Sequence, residues 1–262
     1  MDELTCRICS GPSTFLFHKK VLEKYEVGYY RCKNCSFVQT EEPYWLKEAY
    51  SNTIVNEDIG LVNRNIKLAP FLQRVINTLF DPDGRFLDFG GGYGLLTRIM
   101  RDKGYDFYHY DSHCENLFAR QFEVHDMFKR EQGFKLITCL EVLEHMKEPV
   151  GEIEAIYRYT DSIFFSTEIV PKDNLIDWWY FMPKAGQHIS LFSLKSLSEL
   201  ARRLKVNFYT NNYGYHLFTK CKISPFVFRI LFNPRIFPVF DLFFKGPPYS
   251  LLEKDFEKLQ KS

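Results

Sequence analysis

Residues 85–111 read RFLDFGGGYGLLTRIMRDKGYDFYHYD. The turn Asp81-Pro82-Asp83-Gly84 leads into the apolar run Phe86-Leu87-Asp88-Phe89, and four glycines follow: Gly90, Gly91, Gly92 and Gly94. Leu95, Leu96, Ile99 and Met100 then recur at helical spacing. Gly104 closes that segment, and Asp106 to Tyr110 reads as a second strand ending at Asp111. Strand, glycine loop, helix, strand and acidic residue, in that order, make the first half of a nucleotide-binding α/β unit.

Glycine lets the backbone turn sharply and lets a ligand approach where a Cβ would collide. The first amides of the following helix point toward that ligand. A carboxylate at the tip of the second strand, here Asp111, accepts both hydroxyls of a ribose. A dinucleotide fingerprint starting at Gly90 needs glycine at position 95, and Leu95 stands there. The pattern that fits is D-x-G-x-G-x-G, as Asp88, Gly90, Gly92 and Gly94. It resembles motif I of the class I S-adenosylmethionine (SAM) methyltransferases. The resemblance implies a Rossmann-like, seven-stranded α/β sheet with SAM as cofactor. It also implies that Asp88 helps hold the methionine end of SAM and that Gly90, Gly91, Gly92 and Gly94 pass close to it.

Downstream, Phe122-Glu123-Val124-His125 is expected as the third strand, followed by Asp126 and Met127. In the family an acid here commonly binds the adenine amino group, so Asp126, with Met127, is a cofactor candidate; a solvated turn is the alternative for Asp126. Phe134 to Leu140 is a buried strand leading into Glu141-Val142-Leu143-Glu144-His145. On a helical turn positions i, i+3 and i+4 share a face, so Glu141, Glu144 and His145 are expected to converge. Two carboxylates and an imidazole can hold a divalent cation.

This E-V-L-E-H is similar to the metal-ligating motif of the ubiquinone-pathway O-methyltransferases. It is also similar to that of the small-RNA 3′-end 2′-O-methyltransferases, in which a later histidine completes the site. His188 is placed to be that fourth ligand. Three readings stay open: a second divalent ion such as Mg2+ that lowers the acceptor's pKa, a metal-free base at His145 or His188, or bracing of the loop. Glu141, His145 and His188 are the catalytic candidates.

Ser162 to Thr167 reads as strand five. The aromatic run Trp178-Trp179-Tyr180-Phe181 is either a wall of the acceptor site or an apolar plug. A helix from Ser193 to about Arg203 and strands over 205–210 and 214–220 end the fold. His216, alternating with apolar residues, reads as structural. The tail beyond residue 220 is apolar and interrupted by prolines. It can pack on the core, form a homodimer interface or touch a membrane surface.

Upstream, apolar residues recur at helical spacing from Ile59 to Phe80, with Pro70 marking a kink or a fresh helix. Cys6-x-x-Cys9 and Cys32-x-x-Cys35 form two knuckles that match a tetrahedral four-cysteine zinc site. Phe15-Leu16-Phe17 and Val27-Gly28-Tyr29-Tyr30 between them read as ribbon strands. A ribbon of this kind on a SAM domain resembles the methyltransferases with an amino-terminal zinc module that act on sugars in antibiotic and surface-polysaccharide pathways. The C-methylating members of that group carry a further large carboxy-terminal domain, for which these 262 residues have no room, so C-methylation is not expected; a hydroxyl oxygen is the expected acceptor.

The expected organisation is a zinc ribbon over 1–40, a linker and first helix over 41–80, a SAM-binding domain over 81–220 and an apolar extension over 221–262. Net charge is +1, which gives no electrostatic footprint for a nucleic acid. The start Met1-Asp2-Glu3 is not a secretory signal and no apolar run is long enough to span a bilayer, so a cytoplasmic enzyme is expected. The expected reaction moves the SAM methyl to a hydroxyl of a small polar acceptor, a sugar or a surface-polysaccharide intermediate. The rivals are an RNA methyltransferase whose ribbon grips nucleic acid and a non-catalytic SAM-fold scaffold.

Overall fold

The computed structural model describes residues 4–51, 59–124, 133–232 and 246–260. In chain order the strands are β1 (Leu4–Thr5), β2 (Pro12–Val21), β3 (Tyr25–Cys32), β4 (Val38–Thr40), β5 (Arg85–Phe89), β6 (Asp106–Tyr110), β7 (Leu136–Leu140), β8 (Ser162–Ser166), β9 (Ser190–Leu191), β10 (Asn207–Thr210) and β11 (Tyr215–Thr219). The helices are α1 (Leu46–Ala49), α2 (Leu61–Leu79), α3 (Leu95–Asp102), α4 (Pro149–Ile156), α5 (Leu194–Leu204), α6 (Pro225–Leu231) and α7 (Leu252–Gln260). The chain divides into two units. The first holds Met1–Val55, Glu141–Tyr157 and Phe165–Lys220; the second holds Asn56–Leu140, Arg158–Phe164 and Cys221–Ser262.

The second unit realises the strand–loop–helix–strand pattern. β5 pairs parallel with β6, from Arg85↔Asp106 to Phe89↔Tyr110. It also pairs parallel with β7, through Phe86↔Leu136, Leu87↔Ile137 and Asp88↔Thr138. β8 lies beside β7. Parallel strands covered on both faces read as near-continuous apolar runs, and Phe86, Leu87, Phe107, Leu136 and Ile137 are fully buried. Where a third strand was expected at 122–125, the described residues give one parallel bridge, His109↔Glu123. Asp126 and Met127 lie outside the described residues.

α2 runs through Pro70 as one helix. Its buried residues are Leu68, Ala69, Leu72, Val75 and Ile76, while Val62 and Ile66 of the expected apolar face are exposed. α7 is tied down by a buried ion pair: Arg101 Nε and Nη2 donate to the two Asp255 carboxylate oxygens, both at 2.7 Å. The same guanidinium donates to Asp106 and to the Phe107 carbonyl, each at 2.8 Å, and stacks on Phe122. Removing one partner of such a buried pair leaves an uncompensated charge, at a cost of about 3–5 kcal/mol.

In the first unit a five-stranded sheet has the order β1-β2-β3-β4-β9. The two knuckles sit at the ends of the β2–β3 hairpin, because Ser13 pairs with Cys32. β9 begins two residues after His188 and joins β4 through Val38↔Leu191 and Gln39↔Ser190. One core is shared by Val21, Val27, Tyr29, Val38, Trp45, Tyr180, Phe181, Ile189 and Leu191. β10 and β11 form an antiparallel pair, and Phe165, at the end of β8, packs on His216 and Phe218. Burial lowers His216 to about 4, a neutral imidazole between Thr210 and the Thr167 carbonyl. Among the described residues, β5, β6, β7 and β8 stand side by side as strands of the expected sheet, with a bridge at Glu123 beside β6, and β10 and β11 have the antiparallel form expected of its last two strands. No described helix is long and apolar enough to cross a membrane.

Candidate functional site

Three groups of residues carry chemistry. The first is the glycine loop of the second unit. Gly90, Gly92 and Gly94 have φ of 70°, 56° and 82°, the left-handed region that glycine enters at no steric cost. Gly94 caps α3. A Cβ on Gly91 would stand 2.7 Å from both Asp88 Oδ2 and His109 Cδ2, so backbone packs there against buried side chains. Asp111 braces the loop: the Gly92 amide donates to its Oδ2 at 2.9 Å, and the amides of His113 and Cys114 donate to its Oδ1 at 2.7 and 2.8 Å. His109, absent from the sequence-read set, sits beneath the loop and donates from Nε2 to the Gly92 carbonyl at 2.9 Å. Its signal was alternation: Phe107 and His109 are the inward positions of β6.

Asp88 is buried and accepts the Thr138 hydroxyl at 2.7 Å. Burial pushes its carboxyl up to about 7; the Thr138 bond opposes this and the Asp111 charge adds to it. A carboxyl raised above its unfolded value contributes stability at low pH, and that contribution is lost as pH rises through the folded value. Without SAM, the wild type should therefore lose stability between about pH 4 and pH 7 relative to Asp88→Asn, by about 4 kcal/mol at most. Urea unfolding at several pH values reads this; parallel profiles for the two proteins would refute it.

The second group is the cysteine cluster of the first unit. The Sγ atoms of Cys6, Cys9, Cys32 and Cys35 all lie within 4.8 Å of one another. Cys9–Cys32 is 3.3 Å and Cys6–Cys35 is 3.6 Å. A tetrahedral zinc with bonds of about 2.3 Å sets sulfurs about 3.8 Å apart, so the spacing fits. The amides of Ile8 and Cys9 point at the Cys6 sulfur, both at 3.4 Å, and those of Asn34 and Cys35 at the Cys32 sulfur, at 3.3 and 3.5 Å. Such donors favour thiolates.

The third group, also in the first unit, follows β7. The expected helical face is not formed. Glu141 has φ of 54°, and a 3-10 turn covers Leu143–His145. Glu141 is thereby directed to other partners: Ser166 Oγ donates to its Oε1 at 2.5 Å, and Tyr180 Oη lies 2.8 Å from its Oε2. The ligand atoms that do converge within 4.8 Å belong to Glu144, His145 and His188. The site thus gathers one carboxylate and two imidazoles, a donor set suited to a divalent ion.

Glu144 is fully buried; its Oε1 is 2.5 Å from Tyr180 Oη and its Oε2 has no hydrogen-bond partner among the described residues. Burial, with the Glu141 charge adding, holds Glu144 well above the usual carboxylate range. An orphaned buried carboxylate oxygen beside two imidazoles is what a cation would satisfy. His188 Nδ1 donates to the Tyr180 carbonyl at 2.6 Å, which leaves the lone pair on Nε2. Burial lowers the His188 pKa and favours the neutral ring. His145 Nδ1 is 3.2 Å from Tyr50 Oη. Of the aromatic run, Tyr180 and Phe181 are buried in the shared core and Trp179 is exposed.

The sequence model of a family described as a methyltransferase domain matches residues 63–208. No curated protein matches the sequence. Among solved structures, the chain resembles CalO1, a methyltransferase in calicheamicin biosynthesis bound to SAH (12% identity, TM-score 0.46, covering 69% of this chain and 60% of that one). It also resembles an O-methyltransferase family 2 protein from Planctomyces limnophilus in complex with apigenin (14%, 0.46, 66% and 66%). A third is a SAM-dependent methyltransferase from Thermotoga maritima (12%, 0.42, 69% and 100%). The chain thus spans less than two thirds of the length of the first two.

Proposed function

Because the chain belongs to the methyltransferase-domain family, we propose that it transfers the methyl group of SAM to a hydroxyl of a small polar acceptor, a sugar or a surface-polysaccharide intermediate. The observation that carries the reading is the loop from Asp88 to Gly94, whose glycines take left-handed turns and pack closely on Asp88 and His109, with Asp111 and His109 bonded to the Gly92 backbone. SAM supplies the activated methyl. Asp88 holds its methionine end, Gly90, Gly91, Gly92 and Gly94 give it backbone contact, and Asp111 accepts the ribose hydroxyls with the lone pairs left by its amide donors.

The four cysteines hold a structural zinc; four thiolates close the site and leave no position for a substrate. Glu144, His145 and His188 would hold a divalent ion, and with Glu141 directed elsewhere their two imidazoles and one carboxylate suit a first-row transition ion better than Mg2+; the ion would supply a lowered pKa at an acceptor hydroxyl. With the ion bound, Glu141 is left to manage the proton, because Ser166 and Tyr180 hold its carboxylate in one rotamer. Without the ion, His145 or His188 would be the base, the Nε2 lone pair of His188 being fixed by the bond at Nδ1. The choice of a sugar follows from the pairing of the two cysteine knuckles with a SAM-type loop in one chain.

Methyl-labelled SAM offered with a panel of hydroxylated sugars tests the reading. Label should pass to an acceptor oxygen in the wild type and fall at least about 100-fold in Glu144→Ala, as expected when a positioned metal ligand is lost. Label on nitrogen or carbon, or equal transfer by the variant, would contradict the oxygen and metal parts of the proposal respectively.

A further inference from the structure

We propose that Tyr180 is the positioning residue of the candidate divalent centre, its phenol fixing the Glu144 carboxylate and its main-chain carbonyl fixing the His188 ring. The inference rests on the reading of Glu144, His145 and His188 as cation ligands. Tyr180 lies outside that ligand set, yet two of the three ligands meet it directly. Its Oη is 2.5 Å from Glu144 Oε1, and its carbonyl accepts His188 Nδ1 at 2.6 Å. Its ring packs edge-on against the His188 imidazole at 4.6 Å, and that imidazole packs edge-on against His145 at 4.9 Å.

The consequences for each ligand are specific. Glu144 can use Oε1 on Tyr180 and keep Oε2, the oxygen with no partner among the described residues, for the cation. His188 is locked as the tautomer with its proton on Nδ1, so Nε2 presents a lone pair. A carboxylate or imidazole free to rotate would lose part of this preorganisation on binding. Tyr180 itself is held by the 3-10 turn Trp179–Phe181, by burial in the shared core and by contacts with Trp178 and Trp179. A second carboxylate, Glu141, reaches the same phenol at 2.8 Å. The phenol has one proton, so it can donate to only one of the two acids at a time.

The test uses the zinc-loaded protein with Mn2+ as the probe. Tyr180→Phe keeps the ring and the carbonyl and removes only the hydroxyl. Its Mn2+ affinity, followed by electron paramagnetic resonance, should fall about 10- to 100-fold, while SAM affinity stays at the wild-type value. Equal Mn2+ affinity in Tyr180→Phe and wild type would overturn the positioning role and leave the metal reading standing. Wild type that binds no Mn2+, or binds it equally well in Glu144→Ala, would overturn both. A second measurement does not depend on the variant folding. Nitrogen-15 NMR of histidine-labelled, Mn2+-free wild type should show His188 protonated on Nδ1; protonation on Nε2 would overturn the inference.

Discussion

Cys32→Ser should remove zinc from the protein and, with it, most cation binding at Glu144, His145 and His188. The first effect follows from the ligand set. Structural zinc contributes on the order of 10 kcal/mol to small domains, and the loss of one thiolate in four breaks the closed tetrahedron. The second effect follows from strand pairing. The knuckle at Cys32 closes the β3 end that leads to β4, and the Cys32 amide donates to the Phe37 carbonyl at 2.8 Å. β4 pairs with β9. The Thr40 amide donates to the Ile189 carbonyl at 3.2 Å, and the Ile189 amide donates to the Glu144 carbonyl at 2.9 Å. The Arg7 side chain, beside Cys6, also donates to the carbonyls of Thr40 and Glu41, each at 2.9 Å. His188 stands one residue before Ile189, so unravelling the ribbon releases its backbone. Metal analysis should fall from one zinc per chain toward none, and Mn2+ affinity should fall in parallel. A zinc-free variant with unchanged Mn2+ affinity would show that the ribbon does not support the second centre.

Gly91→Ala should cost at least about 10- to 100-fold in SAM affinity. The added methyl would stand 2.7 Å from Asp88 Oδ2 and from the His109 ring, closer than packed atoms tolerate. Overpacking of this kind costs about 1–3 kcal/mol of folding stability where the packing cannot move; where the loop moves instead, each stretch of about 1.4 kcal/mol of distortion that SAM binding must reverse is tenfold in affinity. The strain falls on both neighbours: Asp88 is displaced from Thr138, and His109 from the Gly92 carbonyl that it holds. Calorimetric titration against the wild type reads the loss. An alanine variant with wild-type SAM affinity would mean that the loop is not the SAM cradle.

The course of the glycine loop was legible because its backbone constraints are local. Asp88, four glycines, a helix start and Asp111 fall within one short stretch, and each restricts its own backbone. The cysteine knuckles were legible for the same reason. The arrangement around Glu144 was only half legible. The spacing of Glu141, Glu144 and His145 suggested one helical face, but Glu141 adopts a left-handed conformation directly after β7. That conformation is uncommon for a residue with a Cβ, and nothing in E-V-L-E-H announces it. The partners that make it sensible, Ser166 and Tyr180, lie 25 and 39 residues away. β9 was illegible because it is two residues long and pairs with β4 across most of the chain. The same holds for Asp255, 154 residues from the Arg101 that anchors it.

Calorimetric titration of SAM into the folded, zinc-loaded protein should show saturable binding of one SAM per chain, weakened in Gly91→Ala. No heat of binding from a sample shown to be folded and to carry one zinc per chain would contradict the proposed methyl transfer from SAM.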